Sequence, residues 1–155
     1  MGFRIASHRD VEAVLAMQRP YYENDGYLFE ADLAQAALER LIDDPDLGRV
    51  WVAVVEERVV GYLVVTLGFS LEYAGRDAFV DELVFAETHR GQGFGGRALD
   101  AAEAYAREQG VRALHLEVER HLDGARRLYE RAGFVDQDRF LLTKRLDGSG
   151  GEPGA

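Results

Sequence analysis

Residues 85–100 read FAETHRGQGFGGRALD, and this run of sixteen residues decides how the rest of the chain is read. Gly91, Gly93 and Gly96 fit G-x-G-x-x-G, the glycine pattern of dinucleotide-binding turns. Arg90, Gly93 and Gly95 equally fit R-x-x-G-x-G, a cradle for a different phosphate. Both patterns use glycine to bring successive backbone N–H groups close to phosphate oxygens. Both also aim the positive N-terminus of the following helix at the anion.

The flanking elements separate the two. "FRI" at Phe3 reads as a short strand, and Ser7 with Asp10 as a capping box that opens a helix over "DVEAVLAMQ". Pro20 is expected to interrupt that helix, with "YYENDGY" as a loop. Leu33, Ala37 and Leu41 line one face of a second helix over residues 30–42. "RVWVAVVEERVVGYLVVTLGF" holds two β-branched runs around Glu56 and Glu57, a hairpin. "SLEYAGRDA" turns the chain into the strand "FVDELVF", and the glycine loop leads into a helix over residues 95–109. "ALHLEV" then reads as a strand, "DGARRLYERA" as a helix ended by Gly133, and "FLLTKRL" as a last strand.

The expected order is β-α-α-β-β-β-α-β-α-β, an α/β chain of α+β type with a mixed sheet. One domain spans residues 1–147, and "DGSGGEPGA" has the composition of a flexible tail over residues 148–155. This order counts against a dinucleotide, although Glu117 sits roughly where a ribose-binding acid belongs. Strands upstream of the loop are joined by short turns, not helices, and "AETHR" separates strand from glycines where a tight turn is required. A Walker-type reading fails because no Gly-Lys-Ser/Thr follows.

Composition narrows the function classes. The 155 residues carry a net charge of −10, which argues against a nucleic-acid binder and favours cationic partners. No apolar run approaches the roughly 18 residues that cross a bilayer, and the first residues read as too polar for a signal peptide. Absence of cysteine removes disulfides, thiolate metal sites and a cysteinyl nucleophile, and agrees with a cytoplasmic setting. His8, His89, His115 and His121 lack metal-ligand spacing, so no metal is expected.

"LVFAETHRGQGFGGRAL" followed by "LEVERHLDGARRLYERAGF" resembles the GNAT family of N-acetyltransferases over most of the chain. "YAGRDAFVDELVF" with Tyr129 is similar, more narrowly, to diamine (spermidine/spermine-type) acetyltransferases. The resemblance implies a GNAT-like acyl-CoA N-acyltransferase fold and acetyl-CoA as donor, with coenzyme A as product. It implies cofactor contacts at Leu83, Val84 and Phe85, and at Arg90, Gly91, Gln92, Gly93, Phe94, Gly95, Gly96 and Arg97. Leu122 and Ala125 would follow on the next helix. Leu122 departs from the family, which usually has asparagine there, so that role is vacant or passes to His121 or Asp123.

Acetyl transfer to an amine needs a base, a stabilised oxyanion and an acid for the departing thiolate. With no cysteine to form an acyl-enzyme, direct attack in a ternary complex is the expected route. By resemblance Tyr129 is the acid. Asp81 and Glu82 are the candidate bases, and strand alternation sends them to opposite faces unless a bulge intervenes. Tyr22, Glu23, Tyr27, Phe69, Glu72 and Tyr73 combine aromatic and acidic groups suited to a small cationic amine. A peptide or protein amine is the runner-up, a non-catalytic acyl-CoA-binding module the alternative class, and the resemblance is compatible with a homodimer.

Overall fold

The computed structural model describes residues 2–148. Its strands are β1 (Gly2–Ile5), β2 (Gly48–Val55), β3 (Arg58–Ser70), β4 (Gly75–Phe85) and β5 (Ala113–Leu116). Its helices are α1 (Val11–Asn24), α2 (Ala31–Asp43), α3 (Phe94–Glu108) and α4 (Asp123–Arg131). The sheet order is β1-β2-β3-β4-β5, with the first three pairings antiparallel and β4–β5 parallel. This is the expected mixed α/β architecture. The β2–β3 hairpin turns on Glu56 and Glu57, both left-handed at φ 49° and 64°, the two positive φ values that a tight hairpin turn of matching twist requires.

Alternation along the strands builds two cores. Val50, Val52, Tyr62 and Val64 face α1 and α2, where Val14 and Leu38 meet them. Trp51, Leu63, Val65, Ala78 and Val80 face α3 and pack on Ala98, Leu99, Ala102 and Tyr105. At the join between β1 and α1, the Arg4 guanidinium donates to both oxygens of Asp10 at 2.8 and 2.9 Å. Asp10 also accepts the Ser7 N–H at 2.9 Å, the half of the expected capping box that forms through a side chain.

Two expectations fail. Helix α1 runs through Pro20 to Asn24, so Tyr21 and Tyr22 are helical. Pro20 removes one donor, but Pro20 and Ala16 one turn earlier are both exposed, so the orphaned carbonyl can be hydrated. The last expected strand, "FLLTKRL", does not form: residues 140–146 have no regular structure and no partner strand. Their strand propensity is intact, but a strand exists only when its backbone finds an edge. The tail expected over residues 148–155 lies, apart from Gly148, outside the described residues.

Candidate active site

Strand β4 positions the site through one irregularity. Val64 of β3 pairs with Glu82 and Val65 pairs with Val80, so Asp81 is an extra residue with no partner on β3. Such a bulge reverses the inward and outward alternation beyond it. Ala78 and Val80 therefore face α3, whereas Val84 faces α1 and α2. Glu82 turns with Val84 and arrives beneath α1. The parallel pairing to β5 also stops here, at Val80 and Leu116. Beyond that point the outer edge of β4 at Leu83, Val84 and Phe85 has no strand beside it, while β3 still pairs with the inner edge.

Glu82 is fixed by three donors. The Tyr22 hydroxyl donates at 2.5 Å, the Tyr62 hydroxyl at 2.7 Å and the Gln18 amide at 3.2 Å. Hydroxyl donors to a carboxylate at these lengths are strong. Burial first, and then the Glu82 charge, push both tyrosine hydroxyls well above their ordinary range, so they remain protonated donors. Asp81 is different: it makes no hydrogen bond among the described residues. Solvent reaches its carboxylate, yet the protein crowded around it, followed by the charges of Glu82 and Glu117, raises its pKa. A carboxylate with spare lone pairs and raised basicity can take a proton; one saturated by three donors holds its neighbours in place instead.

Tyr129 lies half-buried on α4, its ring 6.3 Å from that of Phe134. Its hydroxyl makes no hydrogen bond among the described residues, and burial raises its pKa. Burial, and then the charges of Glu82 and Asp25, raise the pKa of Tyr21 on α1, and Tyr129 packs on the same core as Leu83 and Phe85 of β4. A cavity of about 370 Å³ adjoins the acids. Gln18, Tyr22, Asp81 and Glu82 give it polar lining, Phe29, Leu33 and Leu38 apolar lining, and Arg145 lines it too.

The glycine loop follows Phe85. Gly91 and Gly93 are both left-handed, at φ 75° and 81°, so Gly91 has a backbone role although R-x-x-G-x-G does not require it. Gly95 serves packing: a Cβ there would stand 2.9 Å from the Leu128 side chain on α4. Helix α3 starts with no acidic residue in its first turn and no side-chain cap. In so acidic a chain, this leaves its free N–H groups and positive end open to an anion. The Arg90 guanidinium donates to the Phe85 carbonyl at 3.2 Å, beside the exposed Gln92 and Arg97. Phe94 stacks on His89. The loop and the open β4 edge thus fit a phosphate-bearing thioester donor.

Leu122 occupies the N-cap of α4, and no side chain caps that helix. Neither His121 nor Asp123 supplies that cap. Ala125, on the first turn of α4, is half-buried. Leu122→Asn is predicted to stabilise the fold by about 1 kcal/mol by supplying a cap oxygen. Urea unfolding at fixed pH measures this, and an unchanged midpoint would show that the cap is not limiting.

The expected amine-binding residues divide into two groups. Tyr22 belongs to the Glu82 network, with Tyr27 in edge contact 6.5 Å away. Glu23 pairs with Arg19 on an exposed face of α1. Phe69, Glu72 and Tyr73 sit around the β3–β4 turn, about 20 Å from Asp81 at 3.3 Å per strand residue. Glu72 there is engaged by Arg139 at 2.8 Å, and Tyr73 packs on His115. Sequence reasoning missed Gln18 and Tyr62. A lone tyrosine inside "VVGYLVV" was the available signal, because a buried hydroxyl needs a partner.

Residues 11–134 match the model of the Acetyltransferase (GNAT) family. The chain belongs to the GNAT family. It is 31% identical over 123 residues to the uncharacterized N-acetyltransferase YycN of Bacillus subtilis, covering 79% of this chain and 76% of that protein. A second B. subtilis relative, the uncharacterized N-acetyltransferase YhfO, is 27% identical and covers 91% and 94%. Among solved structures, an integron cassette protein from the mobile metagenome of Cole Harbour Salt Marsh is 36% identical. It aligns with a TM-score of 0.83 over 93% of this chain and 90% of that one. A transcriptional regulator from Bacillus halodurans is 25% identical, with a TM-score of 0.82 over 93% and 99%. This GNAT chain is accordingly an N-acetyltransferase enzyme. The relatives' names specify no diamine. Among the described residues no helix is long and apolar enough to cross a membrane, and no cluster of His, Asp and Glu could hold a metal ion.

Proposed function

We propose that this GNAT enzyme transfers the acetyl group of acetyl-CoA to the primary amine of a small cationic molecule, by direct attack in a ternary complex. The observation that carries this reading is the unbonded Asp81 carboxylate lining the cavity, with Tyr129, also unbonded, packed on the same core as Leu83 and Phe85. Asp81 takes a proton from the ammonium, directly or through water, and so frees the nucleophile. The backbone of Leu83 to Phe85 holds the pantetheine arm, and the residue 90–97 loop holds the pyrophosphate. Tyr129 donates its proton to the thiolate as the C–S bond breaks.

Glu82 stays fixed by Tyr22, Tyr62 and Gln18 and contributes negative charge that attracts a cation. The aliphatic body of the amine lies along Leu33 and Leu38 of the adjoining cavity. A polyamine-like or amino-acid-derived amine satisfies both ends, and the setting is cytoplasmic. Because the chain has no cysteine, a thiol reagent reads released coenzyme A without background. Acetyl-CoA with a panel of diamines, monoamines and peptides should release thiol with the small amines. Turnover with peptides alone would overturn the small-amine reading, and no turnover with any amine would overturn the donor–acceptor assignment.

A further inference from the structure

We propose that Gly61 of β3, outside the donor loop, positions that loop through the ring of Phe85. The inference rests on the reading of residues 90–97 as the site of the donor's pyrophosphate. The pairing register carries it. Phe3, Ala53, Gly61 and Phe85 stand opposite one another in turn across β1, β2, β3 and β4. The row reads large, small, small, large, and both phenylalanines pack on the core beneath α3. Backbones three strand spacings apart lie about 14 Å from one another, yet the two rings meet edge to face with centroids 6.3 Å apart. They reach each other because Ala53 and Gly61 leave the space between them. The Phe85 ring fills the place of a side chain at Gly61. A Cβ there would fall inside contact distance of Phe85 Cδ1 and stand 2.6 Å from its Cε1.

From Phe85 the ring contacts run into the loop. The Phe94 ring, at the first residue of α3, lies 5.8 Å from that of Phe85. It also stacks on His89 at 6.1 Å, with the two planes 21° apart. His89 and Phe94 are half-buried, whereas residues 90–93 between them are exposed. The stack thus closes a short arc whose ends are held inward and whose middle reaches solvent. Gly91 and Gly93, both left-handed, lie within that arc. A 2.8 Å hydrogen bond between the Thr88 hydroxyl and His89 Nδ1 fixes the imidazole, and the Gln92 amide donates to the Thr88 carbonyl at 3.1 Å. An arc held in this shape before the donor arrives spares binding the cost of ordering it. Displacing the Phe85 ring takes away the seat of Phe94, and the arc and the N-terminus of α3 shift with it.

Calorimetry with coenzyme A, well below the melting temperature of every variant, tests this. Gly61→Ala should raise the dissociation constant by about tenfold, the effect of a misplaced support remote from the ligand. Phe85→Ala should weaken binding comparably. Adding Gly61→Ala to Phe85→Ala should cost nothing further, because the ring it would displace is already gone. His89→Phe, which keeps a ring against Phe94, should retain affinity, and His89→Ala should lose it. The His89 pair keeps the test decisive even where Gly61→Ala fails to fold. Unchanged affinity in Gly61→Ala, or losses that add in the double variant, overturns the proposal, as does His89→Phe binding as weakly as His89→Ala. Failure of the parent chain itself to bind coenzyme A would overturn the donor reading, and this inference with it.

Discussion

Replacing Asp81 by Asn will lower kcat/KM by about two to three orders of magnitude, the usual worth of a positioned base, and will raise the melting temperature at neutral pH. The opposite signs follow from one cause. Crowding by the protein, then Glu82 and Glu117, makes ionised Asp81 costly and lifts its folded pKa above the unfolded value. Between those two values the folded state binds more protons than the unfolded one, so stability falls as pH rises through that window. Above it the cost is fully present, and Asn removes it. The thermal gain of the variant should therefore be largest at pH 7–8, about three units above an ordinary carboxylate, and fade as pH falls towards about 4. Activity of the parent enzyme should rise with pH across the Asp81 titration, and the variant should lack that limb. Unimpaired turnover in Asp81→Asn would sink the assignment of the base.

Tyr129→Phe should reduce the single-turnover rate of acetyl transfer by about a hundredfold or more, with coenzyme A affinity retained. The Tyr129 hydroxyl has no hydrogen-bond partner among the described residues, so its removal strands no other group. Stability should stay within about 0.5 kcal/mol of the parent. Burial raises the phenol pKa and keeps the proton in place across the working range. Single-turnover measurement isolates the chemical step from product release. An unchanged rate there, with folding intact, would remove Tyr129 as the acid. Activity loss accompanied by a several-degree fall in melting temperature would instead mark it as a packing residue of the Phe134 contact.

The glycine loop was legible because its signals are local. Arg90, Gly91 and Gly93 lie within four residues, the first turn of α3 follows at once, and left-handed φ values demand glycine wherever the chain folds. Tyr129 was singled out as a candidate by resemblance, through the block that surrounds it. Pro20 misled because its cost depends on where the orphaned carbonyl points, and that is known only once α1 has a buried face. The strand at residues 140–146 misled for a related reason, since propensity states a preference and not a partner.

The sequence by itself determined the family, through the resemblance of two blocks, and the helix layers around a mixed sheet and the glycine loop, through short spacings and periodicities. Tertiary structure alone decided the surroundings of the two β4 acids. Whether Asp81 and Glu82 share a side depends on one extra residue in β4, and only the register against β3 shows where it falls. Glu82 then finds Tyr62, 20 residues away, and Tyr22, 60 away. These distant donors saturate one carboxylate and leave its neighbour unbonded. Two adjacent acids of nearly equal chemistry receive different surroundings because of the bulge, and surroundings set basicity.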